Sequence, residues 1–267
     1  MDANVTTSSD SDRQAELNRE FWARGELVDA YASSELRPAE QVLLDRYRAE
    51  LSGSVLELGC GAGRLTGHVS KIAKRVQGVD ISAAMVEYCR LTYPQAQFTT
   101  GDLQELAWVP DGSYDAVVAS FCVLDVLGRE ARGEVLDELR RILATDGLLV
   151  FSSHNREFSA GVIRDALTLW VGDPHKPLES LRALPRRLRN RRRLRELEHA
   201  ESDTELRNDE AHEFSLLHYY ISRDSQEREL QAHGYELLEC LDLDGLVVAA
   251  GQSATNCPEL HYAARRS

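Results

Sequence analysis

Short apolar segments alternate with amphipathic segments over most of the chain, and this alternation predicts an α/β fold. Continuous apolar runs are typical of buried strands, whereas apolar residues repeated every three or four positions indicate helices. The predicted strands are 55–58, 75–80, 97–102, 113–120, 148–153, 235–241 and 260–265, and the predicted helices between them are 65–74, 82–92, 130–144 and 222–233. Strands that alternate with helices in this way favour a parallel sheet.

Three segments lie outside this alternation and divide the chain. Residues 1–12 are small and polar and predict a disordered tail, and residues 13–51 predict an N-terminal helical cap. Residues 156–213 show no strand pattern, so we expect a helical insertion. The core domain then comprises residues 52–155 and 214–267.

The composition narrows the function classes. Hydrophobic residues make up 43% of the 267 residues, and the net charge of -13 disfavours nucleic acid and anionic membranes as partners. Five scattered cysteines without a CxxC pair disfavour a disulfide framework or a bound metal and favour the cytoplasm. No apolar run approaches the roughly 18 residues that a membrane span needs.

The segment from Val55 to Thr66 predicts a ligand-binding strand, loop and helix. Gly59, Gly61 and Gly63 stand at every second position, where the lack of a Cβ lets the backbone turn sharply beside a ligand. The helix that follows would direct its first N–H groups at that ligand. The spacing differs from the GxGxxG of dinucleotide folds and from the GKS or GKT of phosphate loops.

Asp80 ends the second predicted strand, 17 positions after Gly63. In an open parallel sheet, ligands bind beyond the carboxyl ends of the strands. A carboxylate there can accept two hydrogen bonds from a ribose diol, and the distance from the glycine loop favours this role. The alternative is that Asp80 caps the next helix.

Five successive motifs resemble those of class I S-adenosylmethionine-dependent methyltransferases. They cover roughly residues 54–155 and read ELGCGAGRLT, GVD, TGDLQEL, YDAVVASFCVLDVL and LRRILATDGLLVFSSHN. The resemblance implies a Rossmann-like sheet of seven strands, the last one antiparallel, flanked by helices. It also implies S-adenosylmethionine as methyl donor and S-adenosylhomocysteine as product, with no metal.

The resemblance assigns cofactor contacts residue by residue. Asp80 would bind the ribose hydroxyls and Asp102 the adenine amino group, while Leu103 would offer its backbone N–H. Ile81 and Met85 would lie near the adenine. The contacts implied around the methionine moiety are Glu57, Gly59, Cys60, Gly61, Gly63, Ser120 and Phe121.

Two motifs depart from the family pattern. Residues 145–147 read TDG where relatives commonly have PGG, which should affect only the turn. Residues 120–123 read SFCV in the place of an NPPY-type tetrapeptide, which binds a planar amino group in nucleic-acid and glutamine N-methyltransferases. This second departure favours a small-molecule acceptor.

Methyl transfer depends mainly on alignment, which can contribute about 7–11 kcal/mol. A general base adds typically 10²–10⁴-fold where the acceptor must lose a proton. His154 and His218 are the candidate bases, with a structural role as the alternative for each. The candidate substrate contacts, for which ordinary packing is the alternative, are Phe21, Trp22, Tyr31, Asp125, Asn155, Tyr219 and Tyr220.

The resemblance implies that the insertion at 156–213 is a substrate-recognition lid, because family members place such elements after the fifth strand. The insertion contains an arginine run from Arg182 to Arg195, followed by an acidic stretch from Glu196 to Glu213. One interpretation is a solvated amphipathic helix whose arginines pair with the acids that follow. Its inward residues would be Leu181, Leu184, Leu188 and Leu194. The alternatives are a docking surface for an anionic or carrier-bound substrate, or for RNA.

We therefore expect an enzyme that methylates an O or N atom of a small molecule. The arginine-, alanine- and leucine-rich composition favours bacterial secondary metabolism. The alternatives are an RNA or protein methyltransferase that docks through the arginine run, and a non-catalytic S-adenosylmethionine-binding subunit. A homodimer remains open.

Overall fold

The computed structural model describes residues 16–22, 32, 35–158, 167–168 and 177–267. The predicted tail at 1–12 lies outside these residues, while residues 16–22 of the predicted cap are helical. The helices are α1 (Pro38–Arg46), α2 (Thr66–Val69), α3 (Ala83–Thr92), α4 (Arg129–Ile142), α5 (Pro177–Leu194) and α6 (Arg223–Ala232). The strands are β1 (Ser54–Leu58), β2 (Arg75–Asp80), β3 (Gln97–Thr100), β4 (Tyr114–Ala119), β5 (Leu143–Asn155), β6 (His199–Ala200), β7 (Thr204–Arg207), β8 (His218–Ile221), β9 (Tyr235–Leu241) and β10 (Glu259–Arg266).

Five parallel strands form the centre of the sheet in the order β3-β2-β1-β4-β5. The strand order reverses between β1 and β4, which places a ligand crevice at the carboxyl ends of these strands. Strand β10 runs antiparallel between β5 and β9. The predicted Rossmann-like fold with an antiparallel last strand is therefore confirmed, and its seven strands are β1–β5, β9 and β10.

The predicted strand number and the wholly helical insertion are wrong. The described sheet has ten strands, and β6 and β7 lie within the predicted insertion. Strand β8 pairs with β5 at His154 and Asn155, on the edge that β4 occupies as far as Phe151. The antiparallel unit β6–β8 therefore extends over the carboxyl end of β4. Its strands have two to four residues, too short to give an apolar run in the sequence.

The arginine run lies on helix α5. Leu194 is buried, as the amphipathic interpretation requires, whereas Leu181 and Leu188 are exposed. Arg187 is buried instead and donates hydrogen bonds to two backbone carbonyls. Among the described residues, the expected pairing with the following acids occurs between Arg186 and Glu213 and between Arg191 and Glu198.

Two helices, α3 and α6, begin at a serine cap, whereas several helix ends differ from expectation. The Ser222 hydroxyl accepts a hydrogen bond from the Ser225 N–H at 3.3 Å and so caps α6. The helix predicted over 65–74 is reduced to the four residues of α2. In the predicted helical cap at 13–51, helix α1 ends at Arg46, and a 3₁₀ turn, Glu50–Ser52, follows.

The apolar core covers both faces of the central strands. Leu56 and Val117 belong to the cluster on one face, and Val55 and Ala116 to the cluster on the other. This alternation follows the two-residue side-chain period of a strand. None of the described helices is both long enough and apolar enough to cross a bilayer.

Candidate active site

A cavity opens along the carboxyl edge of the central strands, with an empty volume of about 1400 Å³ that includes solvent at its mouth. Asp102, Asp80, Glu57, Ser120 and His154 follow one another along this edge, at the ends of β3, β2, β1, β4 and β5. All predicted cofactor contacts line the cavity except one glycine of the loop. The structure therefore brings the predicted cofactor residues together in one place.

The glycine loop uses the left-handed conformation at each of its three glycines. Gly59, Gly61 and Gly63 have φ angles of +58°, +51° and +79°, values that strain any residue with a Cβ. Gly63 is the exception that does not line the cavity, and a Cβ there would lie 2.4 Å from Cε2 of Tyr93. Gly61 lines the cavity, and a Cβ there would have no neighbour within 4 Å.

Asp80 connects the loop to the end of β2. Its Oδ2 accepts a hydrogen bond from the Gly61 N–H and its Oδ1 one from the Ser82 N–H, both at 2.8 Å. Burial raises the pKa of Asp80 above its usual value, although the two N–H groups oppose this shift. Ser82, rather than Asp80, caps helix α3. Each oxygen retains a lone pair for a ligand in the cavity.

Glu57 is buried at the cavity wall, and burial raises the pKa of its carboxyl to about 7. A hydrogen bond from the Thr66 hydroxyl and the positive charge of Arg64 oppose this shift. Glu57 is therefore partly protonated near neutral pH. A cationic ligand in the cavity would favour its ionised form.

Asp102 lies at the opposite end of the cavity from His154 and is held by two elements. Its Oδ1 accepts a hydrogen bond from the Gln104 N–H at 3.0 Å, and its Oδ2 pairs with Arg19. Arg19 belongs to helical residues 16–22, which also contact the loop after β4 through a hydrogen bond from Asn18 Nδ2 to the Val126 carbonyl. Helical residues 16–22 therefore cover one side of the cavity.

Ser120 belongs to a buried ionic cluster beside the glycine loop. Arg64 Nη1 and Nη2 lie 2.7 and 2.6 Å from the two oxygens of Glu40, and Nη2 also donates to the Ser120 hydroxyl at 2.8 Å. Burial would raise the pKa of Glu40, but the hydrogen bonds and charge of Arg64 outweigh burial and lower it to about 2. The cluster keeps Arg64 at the cavity wall.

Phe121 is held between two guanidinium groups. The Cζ atoms of Arg64 and Arg37 lie 4.0 and 4.6 Å from its ring centroid, distances typical of cation–π contacts. Phe121 and Cys122 have φ angles of +54°, so the chain turns sharply as it leaves β4. This turn exposes both residues to the cavity.

His154 stands in the cavity at the end of β5 and is supported from behind by Asp125. Its Nδ1 lies 2.7 Å from Asp125 Oδ2, and its backbone N–H donates to the same oxygen at 2.6 Å. Since a carboxylate only accepts, Nδ1 must carry the proton, and Nε2 is left for the cavity. Arg132, fully buried, donates to Asp125 Oδ1 at 2.7 Å.

His218 forms a second pair of the same kind on β8. Its Nδ1 lies 2.8 Å from Asp209 Oδ2, which also accepts a hydrogen bond from the Tyr220 hydroxyl at 2.6 Å. Burial would lower the pKa of His218, but the charge of Asp209 outweighs burial and raises it. The His154 and His218 rings are 5.1 Å apart and inclined by 31°. Both rings line the cavity.

The predicted substrate contacts divide into three groups. Trp22 lines the cavity, and Phe21 packs against Trp22 and His212 with centroid distances of 5.2 and 4.9 Å. Tyr31 lies outside the described residues. The predicted contacts that are described but do not line the cavity are Phe21, Asp125, Asn155, Tyr219 and Tyr220.

These non-lining residues have identifiable structural partners. Asn155 Nδ2 donates to the carbonyls of Ala254 and Cys257 and holds the loop before β10. The Tyr219 ring lies 5.1 Å from the Arg132 guanidinium, and the Tyr220 ring packs 4.9 Å from His154. These side chains have partners within the protein and do not line this cavity, so their role as substrate contacts stays a prediction.

Sequence reasoning missed the residues that support or cover the two histidines. Asp209 is buried behind His218, and His212 lines the cavity with a pKa that burial lowers to about 4. Arg19 and Arg64 also line the cavity. Arg64, directly after the glycine loop, is the one that a sequence signal could have identified.

Comparisons with known proteins agree with this geometry. Residues 55–147 match the family model described as a methyltransferase domain. A probable S-adenosylmethionine-dependent methyltransferase of Mycolicibacterium smegmatis is 36% identical over 123 residues, which are 45% of this chain and 46% of that protein. The malonyl-[acyl-carrier protein] O-methyltransferase of Yersinia pestis is 31% identical over 99 residues, 37% of this chain and 36% of that protein. The matches thus span less than half the length of these relatives.

A solved structure shares the fold over nearly its whole length. The 1,6-didemethyltoxoflavin-N1-methyltransferase of Burkholderia thailandensis, with bound 1,6-didemethyltoxoflavin and S-adenosylhomocysteine, gives a TM-score of 0.61 at 14% identity and covers 100% of this chain and 93% of its own. The comparisons confirm the predicted resemblance to class I methyltransferases and the Rossmann-like fold. The family match identifies residues 55–147 as a methyltransferase domain. The relative from Mycolicibacterium smegmatis is named as a protein that depends on S-adenosylmethionine.

Proposed function

We propose that this chain transfers a methyl group from S-adenosylmethionine to an oxygen or nitrogen atom of a small molecule. The observation that carries the proposal is that one cavity joins two sets of residues. Asp80 and Asp102 lie towards one end, and His154 and His218, each held by a buried aspartate, lie towards the other. A donor and an acceptor can therefore meet within a single cavity.

The residues present fit the donor. Asp80 offers a carboxylate at the strand end, Asp102 offers a second one, and the backbone at Gly61 leaves open space where a Cβ would stand. We propose that Asp80 binds the ribose hydroxyls and Asp102 the adenine amino group. Arg64, on the cavity wall beside Ser120, would compensate the carboxylate of the methionine moiety.

The reaction requires alignment more than acid–base chemistry. When bound, the sulfonium supplies a leaving group that departs without protonation. The cavity walls exclude water and orient the acceptor, for which alignment can contribute about 7–11 kcal/mol. His154 Nε2 is placed to take a proton from an acceptor that carries one, since Asp125 fixes its tautomer.

The acceptors of similar proteins support an O or N atom. One relative is a malonyl-[acyl-carrier protein] O-methyltransferase, and one structural neighbour is an N1-methyltransferase of 1,6-didemethyltoxoflavin. We propose a small acceptor from bacterial secondary metabolism and a cytoplasmic reaction. Free thiols at all five cysteines fit a reducing compartment.

Methyl-labelled S-adenosylmethionine tests the proposal directly. The purified chain is incubated with the labelled donor and separate bacterial metabolite, RNA and protein fractions, with Asp80→Ala as the control. Label in the metabolite fraction that Asp80→Ala abolishes supports the proposal. Label in RNA or protein would instead support docking through the arginine run, and donor binding without transfer to any fraction would support a non-catalytic subunit.

A further inference from the structure

We infer that the acceptor reacts as an oxyanion, from a carboxylic acid or an acidic hydroxyl compound, held between the imidazoles of His154 and His218. The inference rests on the proposed methyl transfer and deepens it by naming the substrate class. It depends on how the two Asp–His pairs are oriented, on where the acidic side chains of the cavity lie, and on the charge that each imidazole carries.

Both imidazoles present the same nitrogen to the cavity. The Nδ1 atoms are taken by Asp125 at 2.7 Å and Asp209 at 2.8 Å, so Nε2 is the free nitrogen of each ring. The rings are inclined by 31°, with centroids 5.1 Å apart. Two such nitrogens on one wall suit an acceptor group that carries one or two oxygen atoms.

The acidic side chains are distributed unevenly over the cavity wall. Among the described residues, the carboxylates that line it are Glu57, Asp80 and Asp102, at the ends of β1, β2 and β3. Asp125 and Asp209 are buried behind the histidine rings and do not line it. The acceptor half therefore presents imidazoles and no described carboxylate that could hold an ammonium group.

The aspartates behind the two imidazoles have different partners. The buried Arg132 already pairs with Asp125, behind His154. Asp209 receives the Tyr220 hydroxyl and His218, and its charge outweighs burial and the nearby Arg207 to raise the pKa of His218. The neighbouring His212 has a pKa lowered to about 4 by burial and the charge of His218, and is neutral.

His218, whose pKa Asp209 raises, and a sulfonium would both face the acceptor. Positive charge on this wall repels a cationic amine and attracts an oxyanion, because charge interactions strengthen as the dielectric falls. His218 then holds the oxyanion, while His154 receives the proton if the acceptor enters as a neutral O–H compound.

The transfer balances with these residues alone. An oxygen lone pair forms the new O–CH₃ bond as the C–S bond breaks, and the electron pair of that bond remains on sulfur as the neutral thioether. For a hydroxyl acceptor, the O–H proton passes to His154 Nε2, which becomes an imidazolium paired with Asp125. For a carboxylate acceptor, no proton moves.

Probe binding to the full chain loaded with S-adenosylhomocysteine tests the inference. The probes are benzoate, 4-nitrophenol near its pKa, neutral benzamide and cationic benzylamine, and the readout is the histidine ¹⁵N spectrum at pH 7. We expect benzoate and 4-nitrophenolate to bind at least tenfold more tightly than benzamide and benzylamine. Preference for benzoate alone assigns a carboxylic acid, and preference for the phenolate alone assigns a hydroxyl compound.

A matched control comes from a third Asp–His pair, which lies outside the cavity. His233 Nδ1 lies 2.8 Å from Asp137 Oδ1, and His233 does not line the cavity. His218→Gln should remove the preference for the acids, whereas His233→Gln should retain it. In the free protein, Asp209→Asn should shift the His218 ¹⁵N signals towards those of a neutral imidazole, because the ring loses its carboxylate partner.

Equal or tighter binding of benzylamine, or an acid preference that survives His218→Gln, would overturn the inference. The comparison among probes uses the wild-type chain and decides the question even if a variant fails to fold. Failure to load S-adenosylhomocysteine at all would refute the proposed function, which separates that outcome from failure of the acceptor assignment alone.

Discussion

Arg19 reaches across the mouth of the cavity to Asp102, with Nη2 3.0 Å from Oδ2. This ion pair joins helical residues 16–22 to the loop after β3. A ligand that enters beside Asp102 must displace the helix or share the carboxylate with Arg19. The Arg19 side chain is 50% exposed, so the pair contributes at most about 1 kcal/mol.

Arg19→Gln should therefore accelerate both binding and release of S-adenosylmethionine several-fold while changing Kd by less than about fivefold. The rates can be followed by stopped-flow fluorescence, because Trp22 lines the cavity. Arg46→Gln is the matched control, since the Arg46–Glu239 pair has side chains 49% and 9% exposed against 50% and 11% for Arg19–Asp102. Unchanged rates in Arg19→Gln would show that the pair does not control access.

Two glycines of the loop should respond differently to the same substitution. Both are left-handed, which costs an alanine roughly 1–2 kcal/mol. Gly63→Ala would also place its Cβ 2.4 Å from Tyr93 and 3.1 Å from Cys89 Sγ, which adds roughly 1–3 kcal/mol of overpacking. Urea unfolding should therefore show a larger loss for Gly63→Ala than for Gly61→Ala.

The order of the two variants should reverse when the affinity for S-adenosylmethionine is measured in protein that remains folded. Gly61→Ala projects a methyl group into the space beside the cavity wall and should weaken S-adenosylmethionine binding in protein that remains folded. Equal losses of stability in the two variants would contradict the packing account of Gly63.

Glu57 should make stability fall as the pH rises. Its pKa is about 7 in the folded protein and about 4.3 when unfolded, so its contribution is present below about pH 4 and is lost as the pH rises through 7. Glutamine does not ionise, so Glu57→Gln removes the free-energy cost of burying a charged carboxylate at this position. Without ligand, the stability of Glu57→Gln relative to wild type should rise between pH 5 and pH 8, by up to roughly 3 kcal/mol.

Urea unfolding at both pH values measures this difference. The hydrogen bond from Thr66 to residue 57 can form in both proteins, because a glutamine carbonyl also accepts. A difference between the two proteins that is independent of pH would show that Glu57 ionises normally in the fold.

The cofactor half of the site could be predicted because its signals are local in sequence. Asp80 follows the glycine loop at a fixed distance, and the loop sits between a strand and a helix that the hydrophobic pattern already defines. A parallel sheet then brings the strand ends to one edge. His154 could be placed for the same reason, because it ends a strongly apolar strand.

The acceptor half could not be predicted in the same way. His212 reaches the cavity through three consecutive non-glycine residues, His212, Glu213 and Phe214, with φ angles of 50°, 58° and 61°, a conformation that no residue preference indicates. Asp209 meets His218 because β7 pairs with β8. Tertiary pairing of short polar strands leaves no periodic signal in the sequence.

The burial of the charged side chain of Arg132 could not be predicted from the sequence either. Arg132 occupies an ordinary position on an amphipathic helix, yet its side chain is 0% exposed because Asp125 and Glu229 lie at 2.7 and 3.0 Å. The partners come from a 3₁₀ turn and from helix α6, far apart in the chain. Only the packed fold shows that this arginine supports His154 through Asp125.

Calorimetric titration of S-adenosylmethionine into the wild-type chain and Asp80→Ala tests the central claim most directly. We expect one site per chain in the wild type and affinity about 10- to 100-fold lower in Asp80→Ala, because a charge-assisted hydrogen bond contributes about 1.5–3 kcal/mol. Asp115→Ala, at an exposed strand residue outside the cavity, should bind as the wild type does. No binding to the wild type, or equal affinity in Asp80→Ala, would contradict the assignment of this cavity.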